Sequence, residues 1–343
     1  MASENAKRIG ISKTEPNQPH TAAAAVAVEA WESRAMPSME KILELRADAF
    51  ADDVDVTDSM LQWSEERIIR FFEAGGVEPP AAPAAAAAPW PELPPPQLPL
   101  RVLSLHGGGS NMTVNKMQVA RLKRTLGPND VVEFDFLNGT REQKAENIDP
   151  AVTRMFGKGP YYGWYGVENL EAPGATYPPE LLMDPKANFR YLVYEEALDR
   201  LEAHIEENGP YHVLCGFSQG AIMITMLTAR RLQRAARGEG PPPSWRCNLL
   251  LSALPPRASP YAPMFPQGGT PYHVTPPIET VPCIACMGQK DQFYAYGEKG
   301  LKSIYKQLQW FEHASGHECA KEPEVNQRVA SAVWSTVGMA PPA

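Results

Sequence analysis

The stretch Val213-Leu214-Cys215-Gly216-Phe217-Ser218-Gln219-Gly220-Ala221 constrains this chain more than any other. An apolar run reads as a short buried strand. A serine flanked by glycines follows, and then an apolar helix through Ile222, Met223, Ile224, Met226 and Leu227. Gly-x-Ser-x-Gly at a strand-to-helix turn is the nucleophile elbow, which holds the serine in a strained conformation with its hydroxyl clear of the sheet. Side chains two residues either side would collide with the neighbouring strand and helix, hence Gly216 and Gly220. Gln219 falls at the helix N-terminus, where a free N–H can meet an oxyanion. The bland alternative is a glycine-flanked turn serine in an ordinary α/β protein.

The rest of the chain supplies a setting for this turn. Residues 1–35 are polar and then alanine-rich, and read as disordered. Two amphipathic segments at 36–76 read as a helical hairpin ended by Gly75-Gly76. Its apolar face could pack on the main domain, form a homodimer or bind a protein partner. Residues 77–98 are mostly proline and alanine and form a linker. The main domain then spans 99–338. Within it, strand patterns at 100–105, 131–137, 213–217, 247–254, 281–287 and 308–312 alternate with helix patterns at 115–126, 191–208, 219–229, 293–307 and 322–336. Such alternation implies a mostly parallel sheet with helices on both faces, with ligands bound beyond the carboxyl ends of the strands.

Composition excludes several function classes. The net charge of -8 offers no basic face for nucleic acid. The long uncharged run at 208–229 changes period at its glycines, so it reads as strand, turn and helix and not as a membrane span. Residues 1–28 do not fit a secretory signal. Five scattered cysteines do not form a disulfide framework, and the single Cys283/Cys286 pair lacks a partner pair for zinc. We therefore expect no metal, no cofactor and a cytoplasmic setting.

Four strand ends carry the chemistry. The first ends in His106-Gly107-Gly108-Gly109-Ser110-Asn111, where the N–H of Gly107 or Gly108 could join that of Gln219 in an oxyanion hole. This loop lacks the Lys-Ser/Thr ending of a phosphate-binding loop and the G-x-G-x-x-G spacing of a dinucleotide fold. The elbow gives Ser218. The 281 strand leads to Asp291, and the 308 strand leads to His313 and His317. Serine, then acid, then histidine is the chain order of α/β-hydrolases. A serine hydroxyl needs a base to take its proton, and the base needs a carboxylate to fix its tautomer. Asp291 also reads as a cap for the helix that follows. His317 is favoured over His313 because it lies in a loop, whereas a residue ending a strand tends to point into packing. Glu312 and Glu318 are weaker candidates for the acid, and His106 reads as a loop-orienting residue. Two inserts, at 151–188 and 255–280, are rich in aromatics and proline. Tyr161, Tyr162 and Trp164 are read as walls of an acyl pocket, with self-packed surface loops as the alternative.

These residues resemble the FSH-type serine hydrolases of the α/β-hydrolase superfamily, which include ovarian-cancer-associated gene 2 type esterases and fungal polyketide-releasing thioesterases. The resemblance runs from about 100 to 334. It rests on Leu105-His106-Gly107 with Asn111, Gln118 with Leu122, Phe134-Asp135-Phe136-Leu137, Gly209-Pro210, Gly216-Phe217-Ser218-Gln219-Gly220-Ala221, Ser252 with Pro255-Pro256, Gly288 with Asp291, and Gly316-His317. Leu137-Asn138-Gly139-Thr140 and Ser315-Gly316-His317-Glu318-Cys319 depart from the family pattern around the site. The resemblance implies an α/β-hydrolase fold with Ser218 as nucleophile, Asp291 as acid and His317 as base. It implies hydrolysis of small-molecule esters or thioesters, and the aromatic inserts suggest medium or long acyl chains. Two rivals remain at this point: a non-catalytic binding protein, and a peptidase on the same fold.

Overall fold

The computed structural model describes residues 93–144, 148–169, 189–256 and 278–341. The expected segments at 1–35 and 36–76, residues 77–92 of the 77–98 linker and much of both inserts lie outside these residues.

The described chain opens with strand β1 (Leu100–Leu105), helices α1 (Met112–Gln118) and α2 (Ala120–Leu126), strand β2 (Val132–Leu137) and the short β3 (Arg141–Glu142). Helix α3 (Pro150–Phe156) and strands β4 (Tyr162–Gly163), β5 (Gly166–Asn169) and β6 (Phe189–Leu192) belong to the first insert and its flank. Helix α4 (Tyr194–Asn208) leads to β7 (Val213–Phe217), α5 (Gln219–Ala236) and β8 (Cys247–Leu251). Then come β9 (Cys283–Gly288), α6 (Tyr294–Ile304), β10 (Leu308–His313) and α7 (Pro323–Val337).

Six of these strands form one sheet in the order β10-β9-β8-β7-β1-β2, and every neighbouring pair is parallel. The chain winds outward from β1 to β2 on one side. It then returns to the other side of β1 and winds on from β7 to β10. Right-handed crossovers in opposite directions place their helices on opposite faces. One core layer accordingly sets Leu103, Leu105, Leu214 and Leu250 against residues of α4, α5 and α6. The other sets Val102, Val132, Val213, Leu249 and Ile284 against α2 and α7. Strand β7 is buried on both faces along its whole length, which explains its unbroken apolar sequence. The winding reverses between β1 and β7, so their carboxyl ends open a crevice at the switch point.

The elbow glycines sit in this crevice. A Cβ on Gly220 would lie 2.6 and 2.7 Å from the carbonyl oxygens of Leu105 and His106 at the end of β1. A Cβ on Gly216 would lie 2.6 Å from the Ala221 nitrogen in the first turn of α5. Both contacts are with backbone, which cannot rotate away. The pair therefore lets α5 start directly against β7 and β1.

Several boundaries differ from the sequence expectation. The expected helix at 115–126 is two helices: Asn111 caps the first at Val114, and Val119 separates them. The helix expected from 191 starts at Tyr194, because Tyr191 pairs with Val167 in an antiparallel ribbon and Val193 adopts a left-handed turn (φ 56°). The strand expected to reach 254 stops at Leu251, where Ser252 turns with φ 46°. The described part of the first insert contains a helix and short antiparallel ribbons. No helix among the described residues is long and apolar enough to cross a membrane.

Gly220→Ala should lower the denaturant midpoint at unchanged slope, a loss of about 1–3 kcal/mol from overpacking. An unchanged midpoint would mean that the crevice is looser than this packing.

Candidate active site

Ser218 joins β7 to α5 with φ 51° and ψ -116°. For a residue with a side chain this conformation costs on the order of 1–3 kcal/mol. Its N–H donates to the Leu251 carbonyl at 2.9 Å, and its own carbonyl accepts from Ala221 and Ile222 at 3.0 and 3.2 Å. The turn is thus fixed from both sides. The hydroxyl lies 2.9 Å from His317 Nε2, and His317 Nδ1 lies 2.7 Å from Asp291 Oδ2. A carboxylate can only accept, so Nδ1 carries the proton and the Nε2 lone pair faces the serine O–H.

The Asp291 side chain is fully buried, whereas that of His317 is 29% exposed. Burial alone would raise the Asp291 pKa. The hydrogen bond and charge of His317, the Phe293 N–H and the Ser252 hydroxyl outweigh it, so the carboxyl stays below its usual range and ionised. The capping and orienting readings of Asp291 are compatible, because each uses a different oxygen. Oδ1 accepts from the Phe293 N–H at 2.9 Å just before α6, and Oδ2 faces the imidazole. The rings of Phe217 and Phe293 lie 5.2 and 5.4 Å from that of His317, so the base sits between apolar surfaces.

The competing candidates are engaged elsewhere. His313 is buried, and its Nδ1 accepts from the Ser315 N–H at 3.3 Å. Glu312 accepts from Tyr294, Gln289 and Trp310, and Glu318 pairs with Lys321.

The loop after β1 is organised by His106, which is wholly buried. Its Nε2 accepts from the Gly139 N–H at 2.9 Å, so Nδ1 is the protonated nitrogen and donates to the Gly107 carbonyl at 2.6 Å. Burial pushes the imidazole down to about 4, and the bond to Gly107 only partly opposes this. The Trp164 ring lies 5.2 Å away, tilted by 33°, and Trp164 donates its Nε1–H to the His106 carbonyl at 2.8 Å. The Gly107–Gly108 peptide therefore has one carbonyl direction. In a trans peptide the N–H of Gly108 points the opposite way.

Sequence reasoning missed the side chain of Gln219. Its Oε1 accepts from the Trp164 N–H at 2.8 Å, and its Nε2 donates to the Tyr165 carbonyl at 3.1 Å. The residue that opens α5 thereby ties the first insert to the elbow. Nothing in the sequence signals a contact across this separation. The three expected wall residues divide. Trp164 is wholly buried against His106. Tyr161 is 2% exposed, donates to the Gly157 carbonyl and packs with Val114 and Ile148. Both side chains are packed inside, as in the self-packed alternative, and Trp164 also holds the loop after β1 through the His106 carbonyl. Tyr162 is half-buried and pairs with Ser110.

A strained serine bridged to a buried carboxylate through histidine, at the switch point of a parallel sheet, defines an α/β-hydrolase type of centre. A family model described as serine hydrolase (FSH1) matches residues 97–327, and the chain belongs to this family. Hydrolase phiM of a fungal species (strain ATCC 74256) is 27% identical over 238 residues, covering 68% of this chain and 93% of that protein. Esterase FPY3 of Fusarium mangiferae is 23% identical over 248 residues, covering 69% and 97%. The crystal structure of Zea mays acyl-protein thioesterase 2 aligns with a TM-score of 0.45 at 17% identity, covering 69% of this chain and 94% of that one.

The buried His106 predicts a pH effect on stability. The unfolded chain takes up a proton on this imidazole near its ordinary 6.5, the folded chain only near 4. Its contribution is fully present above 6.5 and is lost as pH falls, by up to roughly 3 kcal/mol. Denaturant unfolding at pH 7 and pH 4.5 should show this loss in the wild type and a smaller one in His106→Gln. Equal losses would contradict it.

Proposed function

We propose that this serine hydrolase cleaves carboxylic esters or thioesters through an acyl-serine intermediate, with Ser218 as nucleophile. His317 takes the serine proton and passes it to the leaving group. Asp291 holds His317 in the Nδ1–H tautomer and stabilises the imidazolium. The N–H of Gln219, in the first turn of α5 where backbone donors have no helical partner, stabilises the oxyanion together with that of Gly107 or Gly108. Water, activated by the same histidine, then frees the acid. The observation that carries this reading is the relay of 2.9 and 2.7 Å from a strained serine through His317 to Asp291.

We further propose a medium or long acyl chain, on the aromatic content of the two inserts and the phenylalanines beside His317. Free cysteines at all five positions fit a cytoplasmic setting. The division into residues 1–35, 36–76, 77–98 and 99–338, with 36–76 as a dimer or partner module, remains part of this proposal.

In steady-state assays on p-nitrophenyl esters and acyl thioesters, Ser218→Ala should lower kcat by about 10⁶. Asp291→Asn should lower it by about 10⁴ through the wrong tautomer. His317→Ala should abolish turnover while His313→Ala retains it, and the reverse pattern would move the base to His313. A flat rate across acyl lengths would sink the chain-length proposal.

A further inference from the structure

Gln219 carries a side chain that the relay does not use and that lies across the site. Its oxygen accepts from the Trp164 N–H at 2.8 Å, and its nitrogen donates to the Tyr165 carbonyl at 3.1 Å. Only one orientation of the amide satisfies both main-chain partners, so the group is held against rotation. The same Trp164 donates its Nε1–H to the His106 carbonyl at 2.8 Å. A continuous path therefore runs from the first residue of α5 through Trp164 to the loop after β1. The amide also lies against that loop. A Cβ on Gly108 would be 3.4 Å from Gln219 Oε1, and one on Gly163 would be 3.2 Å from it. The amide thus fills the space that these two glycines leave between the loop and the insert. Gln219 is only half-buried. Ordering so long a side chain costs conformational entropy comparable to what two neutral hydrogen bonds return, so stability alone gives it little reason to be fixed here.

We propose that the Gln219 side chain is a positioning residue for the oxyanion hole: acting through Trp164, it holds the His106–Gly109 loop at a set distance from the Gln219 N–H, so that two backbone donors converge on one oxygen. This rests on the acyl-serine mechanism proposed above. One donor belongs to Gln219 itself. The other, the N–H of Gly107 or Gly108, belongs to a different segment of the chain. The close approach of Gly220 to the Leu105 and His106 carbonyls limits how near the two segments come, but it cannot draw the loop inward. The chain of hydrogen bonds from Gln219 through Trp164 to His106 can. Oxyanion donors act at full strength only where the charge develops, and a misplacement of about 1 Å costs about 100-fold in rate. The loss of this hold should therefore fall on the transition state and not on substrate binding.

The test uses the full chain as wild type, Gln219→Met, Trp164→Phe and the double variant. Methionine keeps the length of the side chain and the backbone N–H but makes neither hydrogen bond. Phenylalanine keeps an aromatic ring without the Nε1–H. Hydrolysis by the wild type that is lost in Ser218→Ala first establishes the mechanism. Two readouts then follow: kcat and KM on the best ester, and Ki for a trifluoromethyl ketone, whose adduct with the serine places an oxyanion in the hole. Gln219→Met should lose about 10- to 100-fold in kcat with KM nearly unchanged, and Ki should rise in proportion to the fall in kcat/KM. Trp164→Phe should show the same pattern. The double variant should lose little more than the worse single one, because both substitutions cut one path. Either single variant, folded, with wild-type kcat or an unmoved Ki would overturn the proposal while leaving the mechanism standing. Losses that multiply in the double variant would overturn it too. Wild-type hydrolysis that is absent, or that survives Ser218→Ala, would overturn the mechanism and this proposal with it.

Discussion

The structure depends on one strained turn. Ser218 can hold φ 51° only because both of its flanks are immobile. Strand β7 is buried on both faces, and the first three turns of α5 are buried almost throughout. Between them, Gly220 leaves no room for a side chain against the carbonyls of Leu105 and His106. The local cost, a small fraction of the burial free energy of these two elements, is held in place by their packing. The gain is geometric: the hydroxyl stands at the switch point of the sheet, where the other strand ends converge.

Convergence then assembles the site from distant segments. The loop after β9 brings Asp291, and the loop after β10 brings His317 into contact with it. The loop after β1 brings glycine N–H groups held by a neutral, buried His106. The first insert is fastened to this centre twice, by Trp164 to His106 and by the Gln219 side chain to Trp164 and Tyr165. Gln219 thus has two duties in this account. In the proposed mechanism its backbone N–H faces the oxyanion, and its side chain holds the first insert against the elbow.

The relay was legible in the sequence because each of its members is announced locally. An apolar strand followed by Gly-x-Ser-x-Gly marks Ser218. Asp291 and His317 follow later strands in the order expected of the fold. The parallel sheet was legible from the alternation of periods. Other features depend on register between segments far apart in the chain. Nothing near His106 reveals that Gly139 fixes its tautomer, and nothing near Gln219 reveals its hold on Trp164. Tyr191 shares the helical spacing of Tyr194 and Leu198, and only its pairing with Val167 makes it part of a strand. Tyr161 and Trp164 have the composition of pocket walls, but burial is a property of the packed chain, and both lie beneath the surface.

The central claim is that the elbow is armed, with Ser218 made nucleophilic by His317. Reaction of the folded protein with a fluorophosphonate, followed by peptide mapping in a mass spectrometer, tests it directly. The account predicts a single adduct on Ser218, absent in Ser218→Ala. A folded protein that takes no adduct, or takes it on another residue, would contradict it.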